Sequence, residues 1–293
     1  MMKIIDAHNH PDWYDHDIDK FIANMDRYGI ARTWLLNWEC GEDEFDPRYR
    51  AVTPGPLRGL AHGPIPFECC LPYAEKAPER FTLGCCPDPR RPDALRVLRE
   101  AHDRYGARIC GELKAQMEYD RPEAIALFRL AGELEMPVTF HLQYDLRRSA
   151  ADSWCEWWGG SIDTVERVLA ACPDTVFLGH APGFWIHISD DDLWKTTNYP
   201  PKDAKVIPGG RVPELLRRYP NLYCDISAGS GCLALSRDPA FAAGFLTEFQ
   251  DRVLYARDYF DNVHQEFIAT LDLPVAALGK IYHRNAEKLI KES

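Results

Sequence analysis

Residues 4–13, IIDAHNHPDW, carry an apolar run into two histidines one residue apart. On a β-strand successive side chains alternate faces, so His8 and His10 point the same way, with Asp6 on that face too. Two imidazoles converging from one strand make half of a metal site. A solvated edge strand that happens to carry histidines has the same spelling, and the rest of the chain has to decide between the two.

The same theme recurs along the chain: a short apolar run, a polar loop, then a stretch with helical spacing. The runs are KIIDAH, ARTWLLNW, RFTLGCC, ARICGELK, PVTFHL, TVFLGH, NLYCDIS and RVLYARD. Eight is the number a (β/α)8 barrel requires. Turn chemistry introduces several of them: Gly29 and Gly106 before the second and fourth, Pro173-Asp174 and Pro220-Asn221 before the sixth and seventh. Between them lie amphipathic segments such as RPDALRVLREAHDRY and RPEAIALFRLAGELE. In the first, Leu95, Leu98 and Ala101 form an apolar row. Pro92 and Pro122 fall near helix starts, where a missing N–H costs little.

Apolar runs separated by such helices indicate parallel strands buried on both faces. The competing open doubly wound sheet would carry a Gly-rich phosphate turn after the first strand, and none is present. The expected fold is therefore α/β, a (β/α)8 TIM barrel formed as a single domain over residues 1–293. Long loops are expected after strand 2 (residues 41–65) and strand 6 (residues 181–210), and VAALGKIYHRNAEKLIKE reads as a closing helix.

Composition narrows the class of function. Apolar residues make up 46% and charged residues 27% of 293, as in soluble globular proteins. The net charge of -11 argues against a nucleic-acid surface, which needs clustered Lys and Arg. No apolar run is long enough to span a bilayer, and MMKIIDAHNH lacks the layout of a signal peptide. The ten cysteines include no C-x-x-C, and Cys40, Cys85, Cys86, Cys110 and Cys224 sit in or at the ends of apolar runs, as small buried hydrophobes do. A reduced, cytoplasmic protein with no nucleic-acid or membrane partner is the expectation.

The ends of the proposed strands collect the chemistry. The first offers His8 and His10, the fourth Glu112 and Lys114, the fifth His141, the sixth His180, the seventh Asp225 and the eighth Asp258. In a parallel barrel these ends meet at one mouth. Imidazoles with a carboxylate are what zinc and similar divalent ions prefer, and about three protein ligands leave a position open for water. Any one of these residues alone reads as a core histidine or a helix cap; together, in that order, they read as a site.

On DAHNH, TFHLQ, FLGHAPG, YARDY and YHRNAEKLI, the chain resembles the amidohydrolase superfamily over nearly its whole length. Within it, the chain is most similar to the amidohydrolase-related branch of aminocarboxymuconate-semialdehyde decarboxylase-like enzymes. The resemblance implies His8, His10, His141 and Asp258 as metal ligands, with His180 working on substrate. Arg257 with YFDN, and HAPGFW after the sixth strand, depart from the branch pattern beside the substrate. Glu112 and Lys114 leave two roles open, a second metal or an anchor for a substrate carboxylate.

The function expected first is a hydrolase of an ester, lactone or amide of a small molecule. A metal-activated water attacks, Asp258 moves the proton and His180 stabilises the charge on oxygen. Asp6 and Asp225 would orient imidazoles. The alternative is nonoxidative decarboxylation on the same metal, with Lys114, Arg147, Arg148 and Arg257 as cations for substrate carboxylates. A non-catalytic, metal-stabilised binding protein is the third reading. Trp13, Trp38, Tyr144, Trp154, Trp157, Trp158, Trp185 and Tyr259 are candidate pocket walls, Arg257, Tyr144, Trp185 and Trp38 being singled out for substrate. One zinc per chain is the expected cofactor, with manganese or a second metal open. Barrels of this kind commonly pair, which leaves a homodimer open.

Overall fold

In the computed structural model, which describes residues 2–41, 43–44, 49, 51–53, 63–146 and 157–290, each of the eight apolar runs contains a strand. These are β1 (Ile4–Asn9), β2 (Ile30–Leu35), β3 (Phe81–Leu83), β4 (Cys110–Leu113), β5 (Val138–His141), β6 (Phe177–His180), β7 (Leu222–Asp225) and β8 (Val253–Leu254). β1, β2 and β3 pair in parallel, as do β4 through β8 in sequence order. Backbone hydrogen bonds join the two sets. Between β3 and β4, Arg108 N–H donates to Leu83 O and Cys85 N–H to Ile109 O, both at 2.9 Å. Between β8 and β1, Ala7 N–H donates to Tyr255 O at 3.0 Å and Asp258 N–H to His8 O at 2.9 Å. The ring closes as a TIM barrel.

Helices cover the outside. Ile18–Tyr28 begins at Asp17, whose carboxylate accepts from Lys20 N–H, and ends at Gly29 with φ 69°, a left-handed position that suits glycine. Ala94–Tyr105 ends the same way at Gly106, φ 71°. This helix buries Leu98 and Ala101 as expected, while Leu95 is exposed and Ala94 takes its place in the apolar row. Pro122 occupies the first turn of Pro122–Glu133, and Ser161 with Thr164 forms a reciprocal cap at Ile162–Ala171.

The closing helix is interrupted. Val275–Gly279 and Asn285–Leu289 flank a π turn, Lys280–Arg284, from which the Ile281 carbonyl accepts Tyr255 N–H at 2.9 Å. The segment after β2 begins with an antiparallel pair, Trp38–Glu39 with Pro64–Ile65, and that after β6 holds the short helices Pro182–Trp185, Ile186–Ile188 and Leu193–Lys195. Among the described residues no helix is long and apolar enough to cross a membrane.

Two apolar layers result. Ile5, Ala7, Trp34, Leu36, Ile109, Leu178, Tyr223, Leu254 and Ala256 form one cluster, while Phe21, Met25, Leu98, Leu127, Val165 and Leu215 belong to the larger cluster that includes the covering helices. Alternation along β1 carries the first pattern only part of the way. Its register against β2 slips between Asp6 and Asn9, so His8 joins the face of Ala7's cluster one residue early and Asp6 is left on the other side.

Asp6 is accordingly not beside the imidazole rings. Its Oδ2 accepts from Arg257 Nε at 2.8 Å and its Oδ1 from Arg257 N–H at 2.8 Å, with both residues fully buried. Arg257 Nη1 donates to Asn24 Oδ1 at 2.8 Å. Arg257, expected to meet substrate, is instead an internal clamp between β8, β1 and the first helix, because past the end of β8 its side chain turns to Asp6. Removing the guanidinium strands a buried carboxylate, and Arg257→Ala is expected to destabilise the fold by about 3–5 kcal/mol in denaturant unfolding. A loss under ~1 kcal/mol would mean that the pair is not holding the barrel closed.

Candidate metal centre

Where β1 ends, two hydrogen bonds fix how the histidines present themselves. His8 Nδ1 donates to Asp225 Oδ2 at 3.1 Å, and His10 Nδ1 donates to the Leu36 carbonyl at 2.9 Å. Each ring therefore turns Nε2 toward the mouth, the orientation a metal-ligating histidine requires. Asp258 meets them from the end of β8. Its Oδ1 lies 4.0 Å from His8 Nε2 and 3.5 Å from His10 Nε2. Asp258 holds this position with φ 59°, and its carbonyl is tied to Trp13 Nε1 at 2.8 Å.

A second group adjoins the first. Glu112, from β4, accepts His141 Nδ1 on Oε1 at 2.7 Å and stands 3.6 Å from His180 Nε2. Its Oε2 is 3.5 Å from His10 Nε2 and 4.0 Å from His8 Nε2, so this carboxylate stands between the groups. β4 slips register against β5 between Cys110 and Leu113, over the stretch that contains Glu112. His180 Nδ1 donates to Asp225 Oδ1 at 3.0 Å, and Ser227 Oγ donates to the same oxygen at 2.5 Å. Asp225 thus orients two imidazoles at once.

The donor atoms fall into three overlapping sets, each within 4.8 Å: His8–His10–Asp258, His8–His180–Asp225 and Glu112–His141–His180. Of these atoms His8 Nε2 and Asp258 Oδ1 are buried without a hydrogen-bond partner. Leaving such atoms unmatched is costly, and a divalent cation would match both. The residues present therefore fit a metal. His141 differs from its neighbours, for its Nε2 also contacts Gln143 Oε1 at 3.2 Å, so both ring nitrogens have partners.

The electrostatics follow from burial and proximity. Burial alone would raise the Asp225 carboxyl, but the His180 and His8 imidazoles hold it well below the usual carboxylate range. Burial pushes His141 down to about 3, helped by the Lys114 charge, and so keeps it neutral. Burial raises the Asp258 carboxyl, with Glu112 adding to the rise and the imidazoles of His8, His10 and His180 opposing it.

Aromatic rings edge the cluster. Trp158 lies 5.1 Å from the His141 ring and 6.4 Å from Trp38; Trp38 is 5.2 Å from Tyr49, and Tyr49 stacks on Trp13 at 6.4 Å. Trp13 approaches His10 at 5.3 Å and Tyr14 at 4.9 Å, and Tyr14 reaches Tyr259 at 5.5 Å. Lys114 sits within this arc, and Trp38 Nε1 donates to its carbonyl at 2.8 Å. Tyr14, Tyr49 and Ser227 were not singled out by the sequence. Ser227 follows Asp225 at the spacing of one strand face, but Tyr14 and Tyr49 lie in irregular segments where no period applies.

Two expected wall residues lie elsewhere. Tyr144 hydrogen-bonds His187 Nε2 at 2.7 Å, and His187 lines a cavity of about 500 Å³ with Asp163, Trp194 and Arg211. Trp185 is buried with its Nε1 donated to the Asp225 carbonyl at 3.1 Å, so it supports the cluster from behind. Arg147, Arg148 and Trp154 lie outside the described residues.

A family model described as Amidohydrolase matches residues 68–291. No curated protein matches. Among solved structures, the chain is similar to an uncharacterized TIM-barrel protein from Bordetella bronchiseptica, at 16% identity and TM-score 0.65, with 98% of each chain covered. It is similar to a dihydroxybenzoic acid decarboxylase from Polaromonas sp. JS666 with bound manganese and 2-nitroresorcinol, at 17% identity and TM-score 0.63, covering 99% of this chain and 97% of that one. A 5-carboxyvanillate decarboxylase from Sphingomonas paucimobilis gives 14% identity and TM-score 0.62, with 100% of each chain covered.

Proposed function

The chain belongs to the amidohydrolase family, and from that membership we propose that it is a metal-dependent nonoxidative decarboxylase of a small aromatic or enolic acid. The observation that carries the reading is the pair of buried, unpartnered atoms His8 Nε2 and Asp258 Oδ1, 4.0 Å apart, with His10 Nε2 3.5 Å from the same oxygen. His8, His10 and Asp258 would hold a divalent cation, and His141, whose Nε2 now meets Gln143 Oε1, would be available as a further ligand. Such an ion would supply Lewis acidity, stabilising negative charge that develops on the substrate.

The protein's own groups do the rest. Asp258, whose Oδ1 faces His8 and His10 at the mouth, is the group that would hand a proton to the reacting carbon. As the bond to the carboxylate breaks, its electron pair stays on that carbon and takes this proton, and carbon dioxide leaves. His180, held by Asp225 and Ser227, presents its Nε2 to the substrate oxygens. The aromatic arc from Trp158 to Tyr259 gives a planar ring a surface to pack on and keeps water from the carbon.

The fold likeness to two decarboxylases supports this chemistry over hydrolysis of an ester, lactone or amide on the same residues. The test uses protein loaded separately with zinc and manganese and a panel of ortho-hydroxy aromatic acids labelled in the carboxyl carbon. Chelator-sensitive release of labelled carbon dioxide is expected. A silent panel, with turnover of esters or lactones and incorporation of solvent oxygen, would overturn the decarboxylase in favour of a hydrolase.

A further inference from the structure

Asp258 is held by both of its backbone polar groups, and both tethers lead back to the stretch of chain that carries His8 and His10. Its N–H donates to His8 O at 2.9 Å, and its carbonyl accepts from Trp13 Nε1 at 2.8 Å. Trp13 is 5% exposed, and its ring stands 5.3 Å from that of His10 in an edge-to-face contact. One buried indole therefore touches two of the three residues His8, His10 and Asp258, yet the reaction above uses it only as part of a wall.

The backbone on either side of this bond is strained. Asp12, Tyr14 and Asp15 take φ 51°, 49° and 58° on the donor's side, and Asp258 takes φ 59° on the acceptor's. Residues with a Cβ hold this left-handed region at a cost, and only where neighbouring contacts fix them there. Those contacts are present around Trp13. Tyr73 Oη donates to Asp12 Oδ1 at 3.0 Å and accepts Asp12 N–H at 2.9 Å, and Tyr14 N–H donates to Val52 O at 3.1 Å. Tyr49 stacks on the outer side of the indole at 6.4 Å. The segment is thus pinned before and after Trp13, which leaves the indole N–H aimed at one acceptor. Strain gathered at both ends of a single hydrogen bond is the pattern of a fold holding a functional group in place.

We propose that Trp13 is the positioning residue of Asp258, its indole N–H fixing the backbone from which that carboxylate projects toward His8 and His10. This rests on the reading above that these three residues take the ion. Held in this way, Asp258 Oδ1 stands 4.0 Å from His8 Nε2 and 3.5 Å from His10 Nε2 before any ion arrives. Donors already gathered lose little freedom when a cation binds, whereas an Asp258 without its carbonyl tether must be ordered at that moment. Groups that support metal ligands from behind change metal affinity by about 10–100-fold when they are removed.

The test is zinc affinity, read by competition with a chromophoric chelator in the absence of any substrate. Trp13→Phe keeps a ring against His10 but has no N–H to donate, and it is expected to bind zinc about tenfold or more weakly than wild type. Trp38→Phe removes another indole of the same wall, one whose Nε1 goes to the Lys114 carbonyl, and should stay within about threefold of wild type. If Trp13→Phe protein does not fold, Tyr73→Phe decides. It deletes the hydroxyl that pins Asp12 and is expected to weaken zinc by about threefold or more. Unchanged zinc affinity in the deciding variant overturns the proposal, as does an equal loss in Trp38→Phe, which would make any gap in the wall sufficient. Wild-type protein that takes up no zinc overturns the metal reading and this inference together. Zinc held just as tightly without the indole N–H overturns the inference alone.

Discussion

Asp258→Asn protein is expected to fold normally and to turn over at least ~10³-fold more slowly than wild type. The substitution is chosen for its backbone as much as for its chemistry. Asp258 sits at φ 59°, a left-handed conformation that Asn adopts at little cost and that most other residues would resist. The amide keeps the side-chain volume, and the backbone bonds from Asp258 N–H to His8 O and from Trp13 Nε1 to Asp258 O are untouched. What is lost is a carboxylate able to ligate a cation beside His8 and His10 and to pass a proton to the substrate. General acid–base catalysis contributes about 10²–10⁴-fold alone, and weaker ion binding adds to it. The check is kcat at saturating metal, with thermal unfolding beside it. Normal turnover would remove Asp258 from the reaction.

His8→Ala combined with His10→Ala is the second large effect. Bound metal should fall from about one ion per chain to none by elemental analysis, and turnover should fall to background. The fold should survive with a modest loss. Asp225 loses one of its two imidazole partners but keeps His180 and Ser227, and the Leu36 carbonyl loses its donor from His10. A cost of about 1–3 kcal/mol is expected for such partly unmatched buried groups. Retention of a full equivalent of metal by the double variant would place the ion elsewhere, with Glu112, His141 and His180 as the next set.

How far the sequence was readable depended on strand regularity. On β6 and β7 alternation holds, so Leu178 and Tyr223 of the inner cluster lead two residues later to His180 and Asp225 at the site. The same step takes Ala256 to Asp258. On β1 the register slip reverses the relation between Asp6 and His8, and a strict period of two therefore put Asp6 on the wrong face. Arg257 was misjudged because it and Asp258 lie past the end of β8, where Asp258 takes φ 59° and Arg257 turns to Asp6. Outside the strands, periodicity says nothing. Asp12, Tyr14 and Asp15 take left-handed backbone angles that swing Tyr14 toward Tyr259, a path set by Tyr14 N–H to Val52 O and by Trp13 to Asp258. Tyr144 and Trp185 are aromatic residues at loop positions, after β5 and β6, but their polar atoms are claimed by His187 and by the Asp225 carbonyl.

The most direct measurement of the central claim is anomalous diffraction from crystals of the zinc-loaded protein, recorded on both sides of the zinc edge. The expected result is a peak within about 2.0–2.2 Å of His8 Nε2, His10 Nε2 and an Asp258 oxygen together. A zinc-loaded crystal with no peak at that point, or with its peak away from these three residues, would contradict it.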